Sequence, residues 1–185
     1  MIKKYYKWVN KELKRTSNSD TIIDLFNFAT GMAEESAEMM ERIEELPNDH
    51  LILSTDKHFL EEAGDYLWYF TAYCIVRGIE YKEFKTKLHL YLSNSKPNFF
   101  QIEKLVCKQC KTLGLFKKKL FLGKEINEDN IDAIMDTCHG LFFSMVVYLK
   151  IDIRNLADNN MKKLSSRYPK GRTTSYNIKL IEKNG

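Results

Sequence analysis

Apolar residues recur at intervals of three and four along most of this sequence, which is the spacing of one face of an α-helix. Only three prolines and eight glycines interrupt the pattern, so long helices are expected. The sequence therefore predicts an all-α protein built as a helical bundle. The seven predicted helices lie near residues 2–15, 20–46, 56–78, 80–93, 98–121, 128–149 and 152–167.

Short polar segments separate the predicted helices. Asp20 is a suitable N-cap for the second helix, and the proline-containing segment 47–49 ends that helix. Residues 92–97 are the expected hinge between two parts of the chain. The polar sequence of residues 170–185 predicts a loose tail.

The chain contains a weak internal echo. The apolar helix that ends at residues 78–80 resembles the one that ends at residues 150–152, and each follows an acidic residue, Asp65 or Asp136. The register between the acidic residue and the helix end differs by one position. We expect one domain over residues 1–185, and one interpretation is an internally duplicated pseudo-dimer. Its halves would be residues 1–93 and 98–169.

Two acidic pairs are the most informative feature of the sequence. Glu35 and Glu38, and likewise Glu62 and Asp65, are three residues apart, so each pair lies on one side of a helix. At about 100° per residue, Glu35 falls within the apolar stripe of its helix and Glu38 lies on the flank of that stripe. On the next acidic helix, Asp65 lies on the same face as the apolar Trp68 and Tyr69, with Glu62 beside it. All four carboxylates are expected to face the interior.

Four buried carboxylates need a compensating positive charge, because burial and mutual repulsion both disfavour their ionised forms. No lysine or arginine lies on the inward face within these two motifs. Divalent ions with oxygen ligands are the simplest compensator, and Mg²⁺, or else Mn²⁺, fits a set without histidine or thiolate. Such ions promote phosphoanhydride hydrolysis. The alternative is that each pair is an ordinary solvated helix face.

The basic excess of the chain is small. It has 29 Lys and Arg against 25 Asp and Glu, a net charge of +4, with local concentrations at residues 117–119 and 162–172. This charge fits a small polyphosphate ligand better than nucleic acid, which is not an expected partner.

No segment has the pattern of a membrane or secretory element. Basic residues interrupt the first fifteen positions, and the longest apolar runs, such as residues 141–149, are too short to span a bilayer. We expect a cytoplasmic protein without membrane contact.

The four cysteines leave two interpretations open. Cys107 and Cys110 form a CxxC pair that Cys138 and His139 could complete as a zinc site. Buried reduced thiols that pack as small hydrophobic groups are the favoured reading. A bundle with a carboxylate-bridged di-iron centre is another alternative, for which Asp136 and His139 supply only one partial Glu-x-x-His imitation.

Three motifs resemble a known family. GMAEESAE at residues 31–38 and LEEAGDYLWYF at residues 60–70 resemble the EExxE and ExxD signature of the MazG-like all-α nucleoside triphosphate pyrophosphohydrolases. That superfamily also contains the dimeric dUTPases and the phosphoribosyl-ATP pyrophosphohydrolases. A third segment, NMKKLSSRYPKG at residues 160–171, is close to the NxxKLxxRYPxG ending of many members.

The resemblance implies cleavage between the α and β phosphates, which releases a nucleoside monophosphate and pyrophosphate. It implies that Glu35, Glu38, Glu62 and Asp65 bind Mg²⁺, and that Glu34 orients or deprotonates the attacking water, with Glu61 as an alternative. It also implies a set of substrate-binding side chains that contact phosphate, base or sugar. These are Tyr69, Lys57, Asn160, Lys163, Arg167 and Tyr168.

The chain departs from the family between residue 79 and Asn160, where simple members run almost directly from one motif to the next. Residues 86–130 are either an insertion or part of a decayed repeat that has lost its acids. Relatives imply a homodimer or homotetramer, unless the duplication makes one chain self-sufficient. The alternative function is a non-catalytic metal-binding or nucleic-acid-binding bundle with a degenerate site. The preferred base and sugar depend on a folded pocket, which the sequence does not define.

Overall fold

The computed structural model describes residues 1–16, 21–46, 50–94 and 102–168. Within these ranges the protein contains helices and no strand, so the prediction of an all-α protein is confirmed. Seven α-helices and one short 3₁₀ turn follow one another along the described chain. The α-helices are α1 (Ile2–Thr16), α2 (Thr21–Glu45), α3 (Lys57–Val76), α4 (Tyr81–Asn94), α5 (Ile102–Leu122), α6 (Glu128–Tyr148) and α7 (Ile153–Arg167), and the 3₁₀ turn is His50–Ser54.

The helix boundaries agree with the predicted ones to within a few residues. The predicted N-cap Asp20, the helix stop at residues 47–49 and the tail at 170–185 lie outside the described residues. Of the predicted hinge, residues 92–94 belong to the last turn of α4, and the rest is not described. The 3₁₀ turn was not predicted, and its Leu53 is buried against the core.

One hydrophobic cluster joins buried residues from all seven α-helices. The most extensive packing is between α2 and α3, and α5 packs on both α2 and α6. The two C-terminal helices of the predicted halves cross over: α4 packs on α6, while α7 packs on α3 and α1. Residues 102–122 are thus a core helix of the bundle and not an appended loop.

The turns after α3 and α6 have the same backbone geometry. The N–H of Ile79 donates to the Cys74 carbonyl at 2.9 Å, and the N–H of Ile151 donates to the Val146 carbonyl at 3.0 Å. In each turn the preceding residue has a left-handed backbone, with φ 75° at Gly78 and φ 56° at Lys150. This is the Schellman pattern of helix termination. The turn that joins α3 to α4 and the turn that joins α6 to α7 are therefore of the same type.

Asp56 fixes the start of α3 against the end of α2. Its side chain accepts the N–H of Phe59 at 2.8 Å, as an N-cap. It also receives two hydrogen bonds from the guanidinium of Arg42 on α2, at 2.7 and 3.0 Å. The Arg42 bonds lower the pKa of Asp56 to about 2, so the pair stays ionised. This contact holds the acidic pair of α3 in register with that of α2.

Among the described residues, no single helix has both the length and the apolarity needed to cross a bilayer. Only α6 and α7 taken together reach that threshold, and they are bent by 106° at the turn between them.

The two equivalent turns provide a stability test. Lys150→Gly should raise the free energy of unfolding by about 0.5–1 kcal/mol, because a left-handed backbone is strained for lysine and not for glycine. Gly78→Ala should lower it by about 1 kcal/mol through backbone strain alone, since nothing lies within 4 Å of an added Cβ. Urea unfolding of both variants measures the two changes. Destabilisation by Lys150→Gly would contradict this account of the turn.

Candidate metal centre

Three carboxylates converge where α2 crosses α3. One oxygen from each of Glu35, Glu62 and Asp65 lies within 4.8 Å of the other two. Glu35 is buried, and the other two are half-buried. Among the described residues, this is the only group of three or more acidic, histidine or cysteine side chains with such spacing. The i, i+3 spacing on α3 and the packing of α2 bring the predicted residues together.

Glu35 carries the strongest electrostatic cost of the group. Burial raises the pKa of Glu35 to about 9, and the hydrogen bond with Glu62 and the charges of Asp65, Glu62 and Glu38 act in the same direction. Within the described chain its Oε2 is buried and has no hydrogen-bond partner. A buried carboxylate oxygen without a donor is costly. The predicted inward orientation of Glu35 is therefore found in the structure.

Glu38 lies at the solvent edge of the cluster, so the expectation that all four carboxylates face the interior is wrong for this residue. The helical wheel placed it only on the flank of the apolar stripe, and that position is exposed in the structure. It still interacts with Glu62: partial burial, the charge of Glu62 and a hydrogen bond with Glu62 raise the pKa of Glu38. Glu34 is also exposed and adds its charge to Glu38.

Asp65 is held by two side chains of α7. Lys163 Nζ lies 2.7 Å from Asp65 Oδ2, and Asn160 Nδ2 donates to Asp65 Oδ1 at 2.5 Å. Tyr5 of α1 in turn donates its hydroxyl to Asn160 Oδ1 at 2.8 Å. Divalent ions are thus not the whole of the expected compensating charge, because Lys163 supplies one positive charge from a distant helix. Glu35, Glu38 and Glu62 have no cationic partner among the described residues.

Three other residues of the predicted substrate-binding set lie further out. The side chain of Lys57 is 85% exposed, and its Nζ is 3.8 Å from Glu61. Arg167, one turn beyond Lys163, is exposed. Tyr168 is half-buried at the end of α7, where its N–H donates to the Leu164 carbonyl. The structure brings none of these three into the carboxylate group.

Tyr69 is part of the packed core beside the cluster. It is 9% exposed, and its ring lies 5.2 Å from that of Trp68 in an edge-to-face arrangement. The ring also lies directly over Gly31 of α2, where a Cβ would overlap it. Gly31 thus permits Tyr69 to fill the space between α2 and α3, one turn from Glu35. Tyr69 thus packs between α2 and α3, and its contact with the base or sugar of a substrate stays a prediction.

The cysteine and histidine alternatives do not assemble. Cys107 and Cys110 are exposed on α5, whereas Cys138 and His139 are buried on α6, and all four cysteines are free. The reading of the thiols as buried hydrophobic groups is confirmed for Cys74 and Cys138 only. A zinc site or a Glu-x-x-His centre thus has no geometric support in the described part of the molecule.

The carboxylate group fits a hard divalent cation. All three converging ligands are oxygens, the preference of Mg²⁺ and Mn²⁺. The buried Glu35 Oε2 without a donor is an atom that a cation would satisfy. The geometry is compatible with either ion and does not distinguish between them.

Comparison with protein-family models, with curated proteins and with solved structures finds no match to this chain. The family resemblance consequently rests on the three motifs, and the site on its own geometry.

Several residues that shape the site carried no signal in the sequence. Tyr5 supports Asn160 from 155 positions away. Gly64, inside the second motif, allows α7 to approach α3, since a Cβ there would lie 3.2 Å from the Cβ of Asn160. Gln109 of α5 donates to the Met32 carbonyl at 3.1 Å and is almost fully buried. Gly31 and Gly64 stand within the two motifs, so the sequence could have suggested close helix contacts there. Nothing in the sequence marks Tyr5 or Gln109 as part of the site.

The raised pKa of Glu35 predicts a pH effect on stability in the absence of divalent ions. The folded protein holds this proton up to about pH 9, whereas the unfolded chain releases it near pH 4.5. Stability from this group should therefore be complete below about pH 4.5 and fall as pH rises towards 9, with a limiting slope of about 1.4 kcal/mol per pH unit. The measured slope should be smaller than this limit, because neighbouring acids share the titration.

Urea unfolding of the wild type and Glu35→Gln in EDTA between pH 5 and 9 measures this effect. The difference between their stabilities should widen in favour of the variant as pH rises. A difference that is constant with pH would show that Glu35 is not buried among acids.

The Gly31–Tyr69 contact gives a packing test. Gly31→Ala should lower the free energy of unfolding by about 1–3 kcal/mol, because the added methyl overlaps the buried Tyr69 ring. Gly114→Ala on α5 is the matched control, since nothing lies within 4 Å of its Cβ and alanine favours a helix by about 0.5–1 kcal/mol. Thermal unfolding compares the two, and equal effects at both sites would refute the close approach of Tyr69.

Proposed function

We propose that this protein is a Mg²⁺-dependent nucleoside triphosphate pyrophosphohydrolase, able to use Mn²⁺, that cleaves between the α and β phosphates. The observation that carries the proposal is the convergence of Glu35, Glu62 and Asp65, together with the buried Glu35 oxygen that lacks a donor. The likeness of the three motifs to the MazG-like family supports the reaction class. It also supports a helical bundle of the MazG-like type.

The residues divide into ligands and positioning groups. Glu35, Glu62 and Asp65 would hold the cation, with Glu38 joining from the solvent edge. A divalent ion held there supplies charge neutralisation for phosphate oxygens and acidifies water. Lys163 and Asn160 orient Asp65 by each donating a hydrogen bond to one of its two oxygens.

Exposed Glu34 is adjacent to Glu35 in sequence and faces solvent, where it can accept a proton from the attacking water. Its exposed position gives water free access to its carboxylate. Glu61 is less suited to the role of base, because Lys57 lies 3.8 Å from it.

We also propose that the chain is internally duplicated. The equal Schellman turns after α3 and α6, and the crossed packing of α4 on α6 and α7 on α3, support two related halves. A lysine from each half contacts a carboxylate on a long helix of the other half. Lys163 of α7 contacts Asp65 of α3, and Lys87 of α4 contacts Asp136 of α6 at 3.4 Å. The duplication would let one chain complete a site that a simple relative builds from two.

A pyrophosphate-release screen tests the function. Standard and modified nucleoside triphosphates are incubated with Mg²⁺, Mn²⁺ or EDTA, and the nucleotide product is identified. We expect a nucleoside monophosphate and pyrophosphate, in the presence of metal only. Glu35→Gln and Asp65→Asn should each reduce kcat/KM at least about a hundredfold, with the helical circular dichroism unchanged.

Two further variants separate metal binding from chemistry. Glu34→Gln should lower kcat while the metal still raises the thermal unfolding midpoint. Glu44→Gln, an exposed α2 carboxylate outside the cluster, should leave both unchanged. Absence of pyrophosphate from every triphosphate, with metal-dependent stabilisation intact, would favour the non-catalytic metal-binding alternative. Nucleic-acid binding that survives EDTA would favour the non-catalytic nucleic-acid-binding alternative.

A further inference from the structure

A second polar cavity lies between α3, α4 and α6, away from the carboxylate cluster. Its volume is about 250 Å³, roughly eight water volumes. On α3 and its C-cap it is lined by Tyr73, Cys74 and Arg77, eight to twelve residues after Asp65 and so about 12–18 Å along the helix from that proposed metal ligand. None of its residues takes part in the proposed hydrolysis.

The charges in the cavity wall are arranged in two pairs. Arg77 binds Asp132, whose second oxygen accepts the Tyr73 hydroxyl at 3.1 Å. Lys87 lies 3.4 Å from Asp136. The two cations are thus already matched by carboxylates, and an anionic ligand would have to displace one of them.

Negative charge remains after this pairing. Glu83 lines the cavity, and no hydrogen bond or ion pair reaches it from the described residues. On Asp136, Lys87 and the Tyr91 hydroxyl both bind Oδ1, so Oδ2 has no partner in the part of the chain that is described. The wall therefore contains three carboxylates and two cations, with free acceptor oxygens on two of the carboxylates.

His139 also lines the cavity. It is 2% exposed, and its Nδ1 lies 3.4 Å from the Tyr66 hydroxyl. Burial lowers the pKa of His139 to about 3, so the ring adds no positive charge. In the tautomer with the proton on Nδ1, Nε2 is an acceptor, and no described residue donates to it.

Aromatic surface completes the wall. The rings of Tyr73 and Tyr91 line the cavity near His139, with ring centroids 6.2 and 6.1 Å from the imidazole. Electron-rich ring faces attract ammonium groups and accept the methylene chains attached to them. Together with the unmatched carboxylates, this lining selects a cation with an apolar body.

We propose that the cavity between α3, α4 and α6 binds a small aliphatic amine, whose ammonium groups contact Glu83 and Asp136. The volume admits a chain of about six heavy atoms. The helices that form it come from both proposed halves, so an occupant would also hold the halves together.

Isothermal titration in EDTA with four-carbon ligands of equal length tests this site. The probes are 1,4-diaminobutane, the uncharged 1,4-butanediol and the dianion succinate. We expect saturable binding of the diamine, a rise in the thermal unfolding midpoint, and no saturation by the other two. Glu83→Gln and Asp136→Asn should each weaken diamine binding about tenfold.

Glu103→Gln is the control, because this exposed α5 carboxylate lies outside the cavity. It should bind the diamine as the wild type does. The proposal is overturned if the diamine does not saturate by about 10 mM, if succinate binds more tightly, or if Glu103→Gln weakens binding as much as the cavity variants. Diamine binding does not depend on pyrophosphate release, so either proposal can fail alone.

Discussion

Carboxylates held within 4.8 Å of one another repel, and the packing of α2 against α3 must overcome that repulsion. The apolar contacts of the two helices provide the opposing force, since Met32, Phe28 and Ala63 are all nearly or fully buried. The Arg42–Asp56 pair closes the far end of the same interface. The acidic cluster is thus a strained feature inside a stable frame, and strain of this kind is typical of a binding site.

The second constraint is the crossing of α7 onto α3. Lys163 and Asn160 occupy the outer side of Asp65, and Tyr5 fixes the amide of Asn160. Because the amide accepts from one neighbour and donates to another, its orientation is determined by the network. The orientation of Asp65 is therefore set by residues of three helices, and only one of these helices carries an acidic motif.

The helices and the inward orientation of Glu35 were predictable, because both depend on spacing within one segment. Periodicity at three and four residues fixes which side of a helix is apolar. Glu38 was predicted to face the interior and is exposed, because a flank position is buried only if a neighbouring helix covers it. The pairing of Lys163 with Asp65 joins residues 98 positions apart, and helix periodicity gives no information on such a distance.

The contact of the Tyr69 ring with Gly31 was unpredictable for a similar reason. The sequence placed the ring beside Asp65, but only the folded packing of α2 shows that Gly31 lies beneath it. Gly64 has the same relation to α7. In both cases a glycine on one helix leaves room for a side chain from another helix. A single sequence does not reveal which side chain fills that space.

The wide separation of Tyr5, Asp65 and Lys163 along the chain affects how the protein is made. During synthesis, both acidic motifs leave the ribosome about a hundred residues before the lysine that neutralises one of them. Until then the nascent helices carry their acids without that counter-charge, and Tyr5 lacks the Asn160 amide that it binds in the folded protein. Completion of the centre therefore requires contacts between residues up to 155 positions apart, and closing loops of that length costs entropy.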